Sequence, residues 1–91
     1  MARVVVTHDV VDVQRWLAGK AERASLISSV GGNIVDTVAL DGSNKIAITV
    51  DVDDLDAFQA MLASPPPEVA ALMEKHGVLP PLMAYIEGTR P

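Results

Sequence analysis

The run Lys45–Val52 alternates at every second position, and this alternation restricts the fold more than any other feature of the sequence. Its large aliphatic residues are Ile46, Ile48, Val50 and Val52, and its intervening residues are Ala47, Thr49 and Asp51. A β-strand points successive side chains to opposite faces of its sheet. The pattern therefore predicts a strand with one aliphatic face that helices cover. Val4 and Val6, in the run 3–8, belong to the same aliphatic class.

The first half of the chain predicts a strand, a helix and a hairpin. The β-branched run 3–8 is followed by apolar residues at three- and four-residue spacing, which indicate a helix. We expect this helix to be capped by Asp9 or Asp12 and to end at Gly31-Gly32. The runs 33–40 and Lys45–Val52 are separated by turn residues, so they predict two antiparallel strands.

The second half predicts two helical pieces and a last strand. Asp54 and its neighbour cap a helix that ends at Ser64, before three prolines. Pro67 suits the first turn of a short extra helix over 67–76, and Gly77 ends it. The run 82–87 is the last strand. The result is an α+β fold of βαββαβ order: one domain over 1–91, with an antiparallel four-stranded sheet and helices on one face.

The second face of the predicted sheet is small and uncharged in its middle. Its members are Val5, Thr7, Val35, Thr37, Ala39, Ala47 and Thr49, with either Met83 and Tyr85 or the alternate residues of the last strand. Charged residues occur only at the strand ends. Because a solvated sheet face normally carries charges, we expect a second copy of the chain to cover this one. A monomer with a threonine-rich exposed sheet is the alternative.

Composition excludes several classes of protein. The formal net charge is −5 and the seven basic residues are scattered, so no nucleic-acid partner is predicted. The absence of cysteine excludes disulfide and thiolate chemistry. No apolar stretch approaches the roughly 20 residues of a membrane span, and the first apolar run is too short for a signal peptide. We expect a soluble cytoplasmic protein without a membrane partner.

Two histidines are candidates for chemistry. His8 ends the first strand beside Asp9 and Asp12, and a histidine oriented by a carboxylate suits general-base catalysis. His8 is therefore the candidate catalytic residue, although both aspartates also suit helix capping. One histidine with nearby aspartates is an incomplete ligand set, so no metal or other cofactor is predicted. His76 suits a structural place at a helix end, and a lid over a site is the alternative.

The candidate ligand contacts are Thr7, Thr37, Thr49, Tyr85 and Trp16. Hydroxyl groups in uncharged surroundings suit a largely apolar small molecule with a few polar atoms. A dry dimer interface is an equal alternative for the four hydroxyls. For Trp16 the alternative is core packing, where its indole N–H needs a partner.

The βαββαβ order, the uncharged second face and the proline-bracketed helix over 67–76 resemble the dimeric α/β-barrel superfamily of ferredoxin-like domains. The resemblance covers nearly the whole chain and is one of topology, so no catalytic signature is carried over. Members include cofactor-free monooxygenases acting on polycyclic phenols or quinones, lactone isomerases, polyketide cyclases and haem enzymes. The resemblance implies a homodimer that binds or transforms a small, largely apolar molecule. A non-enzymatic dimerisation or interaction module and a small-ligand sensor are the alternatives.

Overall fold

The computed structural model describes residues 2–88 and has eight elements. In chain order they are β1 (Ala2–Val10), α1 (Val13–Ala18), α2 (Lys20–Ile27), β2 (Gly31–Val38), β3 (Lys45–Val52), α3 (Leu55–Ala63), α4 (Pro67–Lys75) and β4 (Val78–Ile86). The strands form one antiparallel sheet in the order β2-β3-β1-β4. The predicted ferredoxin-like α+β arrangement is confirmed. None of the helices within 2–88 has both the length and the apolar character needed to span a membrane.

The core lies between the helices and the aliphatic face of the sheet, as the alternation predicts. The sheet contributes Val4, Val6, Val10, Ile46, Ile48, Val50 and Val52, and the helices contribute Trp16 and Phe58. Burial of these aliphatic side chains is the main stabilising contribution, at about 1.5–3 kcal/mol for each large one.

The predicted single first helix is wrong, because the chain breaks at Gly19 into α1 and α2. Gly19 ends α1 with φ −89° and ψ 8°, outside the helical region. A side chain at this position would collide with the imidazole ring of His76, which packs directly against the glycine backbone. Because of the break, different residues of α2 face the core than in one continuous helix. Arg23 is buried in α2, whereas Ala21 is exposed.

The strand ends near the first helix also differ from the prediction. β1 continues to Val10, and Asp9 pairs with Lys45 of β3. Asp12 is the residue that caps α1, accepting a hydrogen bond of 2.9 Å from the backbone N–H of Gln14. Gly31 belongs to β2, where the backbone of Asp51 leaves no room for a side chain.

β4 begins at Val78, four residues before the predicted start of the last strand. Val78 and Leu79 pair with the end of β1, and pairing resumes at Met83 opposite Thr7. Two extra residues of β4 are accommodated between these points, where Pro80 and Pro81 lie. Proline has no N–H to donate to a sheet ladder, so it is tolerated at such an irregularity of an edge strand.

Candidate active site

A cavity of about 100 Å³ lies between the helices and the aliphatic face of the sheet. Most of its wall is aliphatic or aromatic, including Val6, Ile48, Phe58, Leu72 and Leu82. Four residues with polar side-chain atoms also line it: His8, Trp16, Arg23 and His76. This helix–sheet cavity has the composition of a small-molecule site, because its walls are largely apolar with a few polar residues among them.

His8 enters the cavity from β1, opposite the irregular part of β4. Its Nδ1 lies 2.9 Å from the carbonyl oxygen of Asp9. A carbonyl oxygen only accepts hydrogen bonds, so Nδ1 carries the proton and Nε2 of the neutral ring keeps its lone pair. Within residues 2–88 no side chain or backbone group is hydrogen-bonded to this Nε2.

Burial lowers the pKa of His8 below its ordinary value of 6.5. The positive charge of Arg23 acts in the same direction, and the hydrogen bond to the Asp9 carbonyl opposes both. His8 is therefore neutral at physiological pH. A neutral imidazole with a free Nε2 can accept a proton, which is what a general base must do.

The lowered pKa of His8 makes stability depend on pH. The unfolded chain binds a proton at this residue near pH 6.5 and the folded chain resists it, so the free energy of unfolding falls as the pH decreases below about 6.5. The largest slope from one such group is about 1.4 kcal/mol per pH unit. Urea unfolding at pH 7.5 and 5.5 measures the loss. A smaller loss is expected for His8→Gln, and an equal loss in both proteins would contradict the assignment.

Trp16 lines the cavity and contacts both His8 and Arg23. Its side chain is completely buried, and its ring centre lies 6.1 Å from that of His8 in an edge-on arrangement. The guanidinium carbon of Arg23 lies 4.1 Å from the indole ring centre, a cation–π contact. The indole Nε1–H is buried and has no hydrogen-bond acceptor among residues 2–88.

Arg23 forms a buried ion pair that was not predicted from the sequence. Its Nη2 donates to Asp36 of β2 at 2.9 Å, and both side chains are at least nine-tenths buried. Asp36 pairs with Ile48 in the sheet register and so belongs to the face that the helices cover. Nη1 donates to the backbone carbonyl of Trp16 and contacts Nδ1 of His76 at 3.3 Å, whereas Nε has no partner among residues 2–88.

His76 joins α4 to this cluster. Because the Arg23 guanidinium only donates, Nδ1 of His76 is the acceptor, and its Nε2–H points to Glu22 at 3.4 Å. Lys75 binds the other oxygen of Glu22 at 3.0 Å. Arg15 donates to the last carbonyls of α4, those of Glu74 and Lys75, at 2.8 and 2.7 Å. The predicted structural place of His76 at a helix end is observed, and the same ring also lines the cavity.

The structure divides the predicted site residues between two faces of the sheet. His8 and Trp16 line the helix–sheet cavity. Thr7, Thr37, Thr49 and Tyr85 lie on the opposite face, because their register partners alternate with the buried residues. In one protomer the two groups do not meet in one cavity. Met83 and Tyr85, rather than the alternate residues of β4, belong to this second face.

The second face, here called the open face, is exposed and uncharged in its centre. Val35, Met83 and Tyr85 are 52%, 51% and 56% exposed. Ion pairs lie at its two ends: Arg3 with Asp51 and Asp9 with Lys45, each at 3.3 Å. Within residues 2–88 no group of three or more histidine or acidic side chains is arranged to hold a metal ion.

Comparison with solved structures identifies the fold. SnoaB, a cofactor-independent oxygenase from Streptomyces nogalater solved as an Asn-to-Ala variant, superposes with a TM-score of 0.64 at 18% identity, covering 99% of this chain and 93% of its own. A Deinococcus radiodurans protein assigned provisionally as an antibiotic biosynthesis monooxygenase gives 0.60 at 18% identity, covering 100% and 96%. A further antibiotic biosynthesis monooxygenase gives 0.58 at 8% identity over the full length of both chains.

The chain shares the ferredoxin-like α+β fold of these solved structures. The resemblance noted from the order of elements is therefore confirmed at the level of fold. No protein-family model matches the sequence, and no curated protein matches it significantly. In this fold the helix–sheet cavity and the open face are separate surfaces on opposite sides of the sheet.

Proposed function

We propose that this protein is a cytoplasmic enzyme of the dimeric α/β-barrel kind that transforms a small, largely apolar organic molecule in the helix–sheet cavity, with His8 as the general base. One observation carries the proposal. His8 is a buried, neutral imidazole whose Nε2 has no partner among residues 2–88, and it lines an apolar cavity. This nitrogen is free to accept a hydrogen bond or a proton from a molecule bound in the cavity.

The reaction begins with transfer of a proton from an acidic O–H or C–H of the substrate to Nε2 of His8. The anion that forms accepts hydrogen bonds from the unpaired indole N–H of Trp16 and the unpaired Nε–H of Arg23, which act strongly in surroundings of low dielectric constant. Likeness to a cofactor-independent oxygenase supports dioxygen as the second substrate. A phenol and one dioxygen molecule would then give a quinone and one water molecule, so the electrons balance without a cofactor.

The proposal is tested by dioxygen uptake with a series of one-ring and two-ring phenols and hydroquinones. Wild-type protein is expected to accelerate uptake with at least one compound, and His8→Gln to lose at least about a hundredfold of the rate, because a general base contributes roughly 10²–10⁴. Gln59→Glu, on the exposed side of α3, is the control that keeps full activity. Equal rates with His8→Gln would remove His8 from the mechanism.

The open face supports a homodimer in which two sheets pack face to face. The interface then contains Thr7, Thr49 and Tyr85 with the aliphatic residues around them. The ion pairs at the strand ends lie at its rim. Charge depletion in the centre of a patch is typical of homodimer interfaces. In this arrangement Thr37 donates its hydroxyl to the carbonyl of Ala47 at 2.7 Å and needs no ligand.

The same uncharged face favours a second candidate function, a non-enzymatic dimerisation module. Under this alternative the open face carries the whole function, and the cavity is only an imperfectly filled core. The dioxygen-uptake series separates the two candidates. A protein that dimerises but accelerates none of the compounds, and whose His8→Gln variant behaves identically, would favour the module.

A further inference from the structure

The size of the helix–sheet cavity limits what it can hold. Its volume is about 100 Å³. An engineered apolar cavity of about 150 Å³ in another protein binds benzene, so a cavity of the present size accepts one small ring with slight adjustment of its walls. A second fused ring nearly doubles the volume required. Phe58, Met61 and Leu62 line the cavity on the side of α3 and restrict its width there.

Two buried, unpaired donors belong to residues of the cavity wall. Trp16 Nε1–H and Arg23 Nε–H are buried without acceptors among residues 2–88, and both residues line the cavity. Neither nitrogen can accept a hydrogen bond in return. A ligand that relieves them must present an oxygen or another acceptor. The ring centres of His8 and Trp16 are 6.1 Å apart, so one small molecule reaches both side chains.

The charges around the cavity favour a neutral ligand. Arg23 is compensated by Asp36 at 2.9 Å, and the lowered pKa of His8 leaves its ring uncharged at physiological pH. Glu22 is matched by Lys75 at 3.0 Å on the exposed side of the cluster. A carboxylate or ammonium group would therefore enter an apolar cavity without a countercharge, which is costly.

We infer that the cavity selects a neutral one-ring molecule that carries a carbonyl or hydroxyl oxygen, and that Trp16 Nε1–H binds this oxygen. The inference rests on the proposed function for the statement that the ligand is a substrate. Such a ligand is smaller than the polycyclic compounds that the fold resemblance implies. Trp16 is thereby a binding residue that selects substrates by their size and by the presence of an acceptor.

Trp16 is the only tryptophan of the chain, so ¹⁵N-labelled protein has a single indole N–H resonance that reports on the cavity. The probes are cyclohexanone, methylenecyclohexane and 1-decalone. They are a one-ring ketone, a matched hydrocarbon without the oxygen, and a two-ring ketone. Cyclohexanone is expected to move the indole proton downfield and to bind about tenfold more tightly than methylenecyclohexane, the value of one hydrogen bond. 1-Decalone is expected to bind at least tenfold more weakly than cyclohexanone.

Each part of the inference has its own contradicting result. Equal binding of 1-decalone would overturn the one-ring limit, and an unmoved indole resonance with saturating cyclohexanone would overturn the assignment of Trp16 Nε1–H as the donor. Failure of all three probes to bind would overturn the inference as a whole. In Trp16→Phe, followed by saturation transfer to the ligands, the preference for the ketone over the hydrocarbon is expected to disappear. Binding is measured without turnover, and Gln59→Glu, on the exposed side of α3, should bind cyclohexanone as wild type does, so a failed base assignment does not mask a correct ligand class.

Discussion

Replacing Arg23 with methionine is expected to lower the free energy of unfolding by about 3–5 kcal/mol, because it leaves the buried Asp36 carboxylate without its countercharge. The Asp36 side chain is only 3% exposed and its other oxygen has no partner among residues 2–88, so water and neighbouring groups cannot replace the guanidinium in place. Urea unfolding followed by Trp16 fluorescence, at a fixed protein concentration, measures the change. For a domain of this size, such a loss is a large part of the total stability.

The matched control is the double variant Arg23→Met with Asp36→Leu. Two apolar side chains of similar volume remove both charges, and replacements of this kind in other proteins are often neutral or stabilising. The double variant is therefore expected to recover most of the lost stability. If it is as unstable as Arg23→Met alone, the loss comes from packing against Trp16 and not from the unpaired carboxylate.

Thr49→Arg is expected to dissociate the proposed homodimer. Thr49 lies in the centre of the open face, opposite Val5 on one side and Val35 on the other. Two-fold symmetry would bring two such arginines into one interface, where like charges cost several kcal/mol. The dissociation constant should rise at least about a hundredfold, which analytical ultracentrifugation and native mass spectrometry measure.

Ala71→Arg is the control for Thr49→Arg, because it adds the same charge on the exposed side of α4. It should leave the mass in solution unchanged. Thr49→Arg should also keep the cavity intact, since the two faces of the sheet are separate. A Thr49→Arg protein with the wild-type dissociation constant would show that the open face is not the interface.

The two faces of the sheet were predictable because strand alternation is a local property. The alternation within Lys45–Val52 assigns each of its residues to one face of the sheet. Val4 and Val6 pair with Val50 and Ile48 and so belong to the aliphatic face. His8 was expected at the end of the first strand, whereas β1 continues to Val10 and His8 lines the helix–sheet cavity; its catalytic role stays a prediction. For β4 the alternation did not decide which alternate residues belong to the open face. The pairing of β4 with β1 depends on how Pro80 and Pro81 are accommodated.

The polar cluster around Arg23 was missed for a physical reason. A continuous helix over α1 and α2 places Ala21 and Ala24 inward, and only the break at Gly19 makes Arg23 the buried residue. A signal for its partner existed: Asp36 alternates with Val35 and Thr37, which places a carboxylate in the aliphatic phase of β2. A carboxylate in that phase requires a cation from the helix layer.

The close packing of His76 on Gly19 links two positions that are far apart in the sequence. No side chain fits at position 19 while the imidazole occupies its present place. In evolution the two positions must therefore change together, so homologues with alanine or serine at position 19 should carry a smaller residue at position 76. Covariation of this pair in an alignment would report the contact between α4 and the turn at Gly19 without any structure.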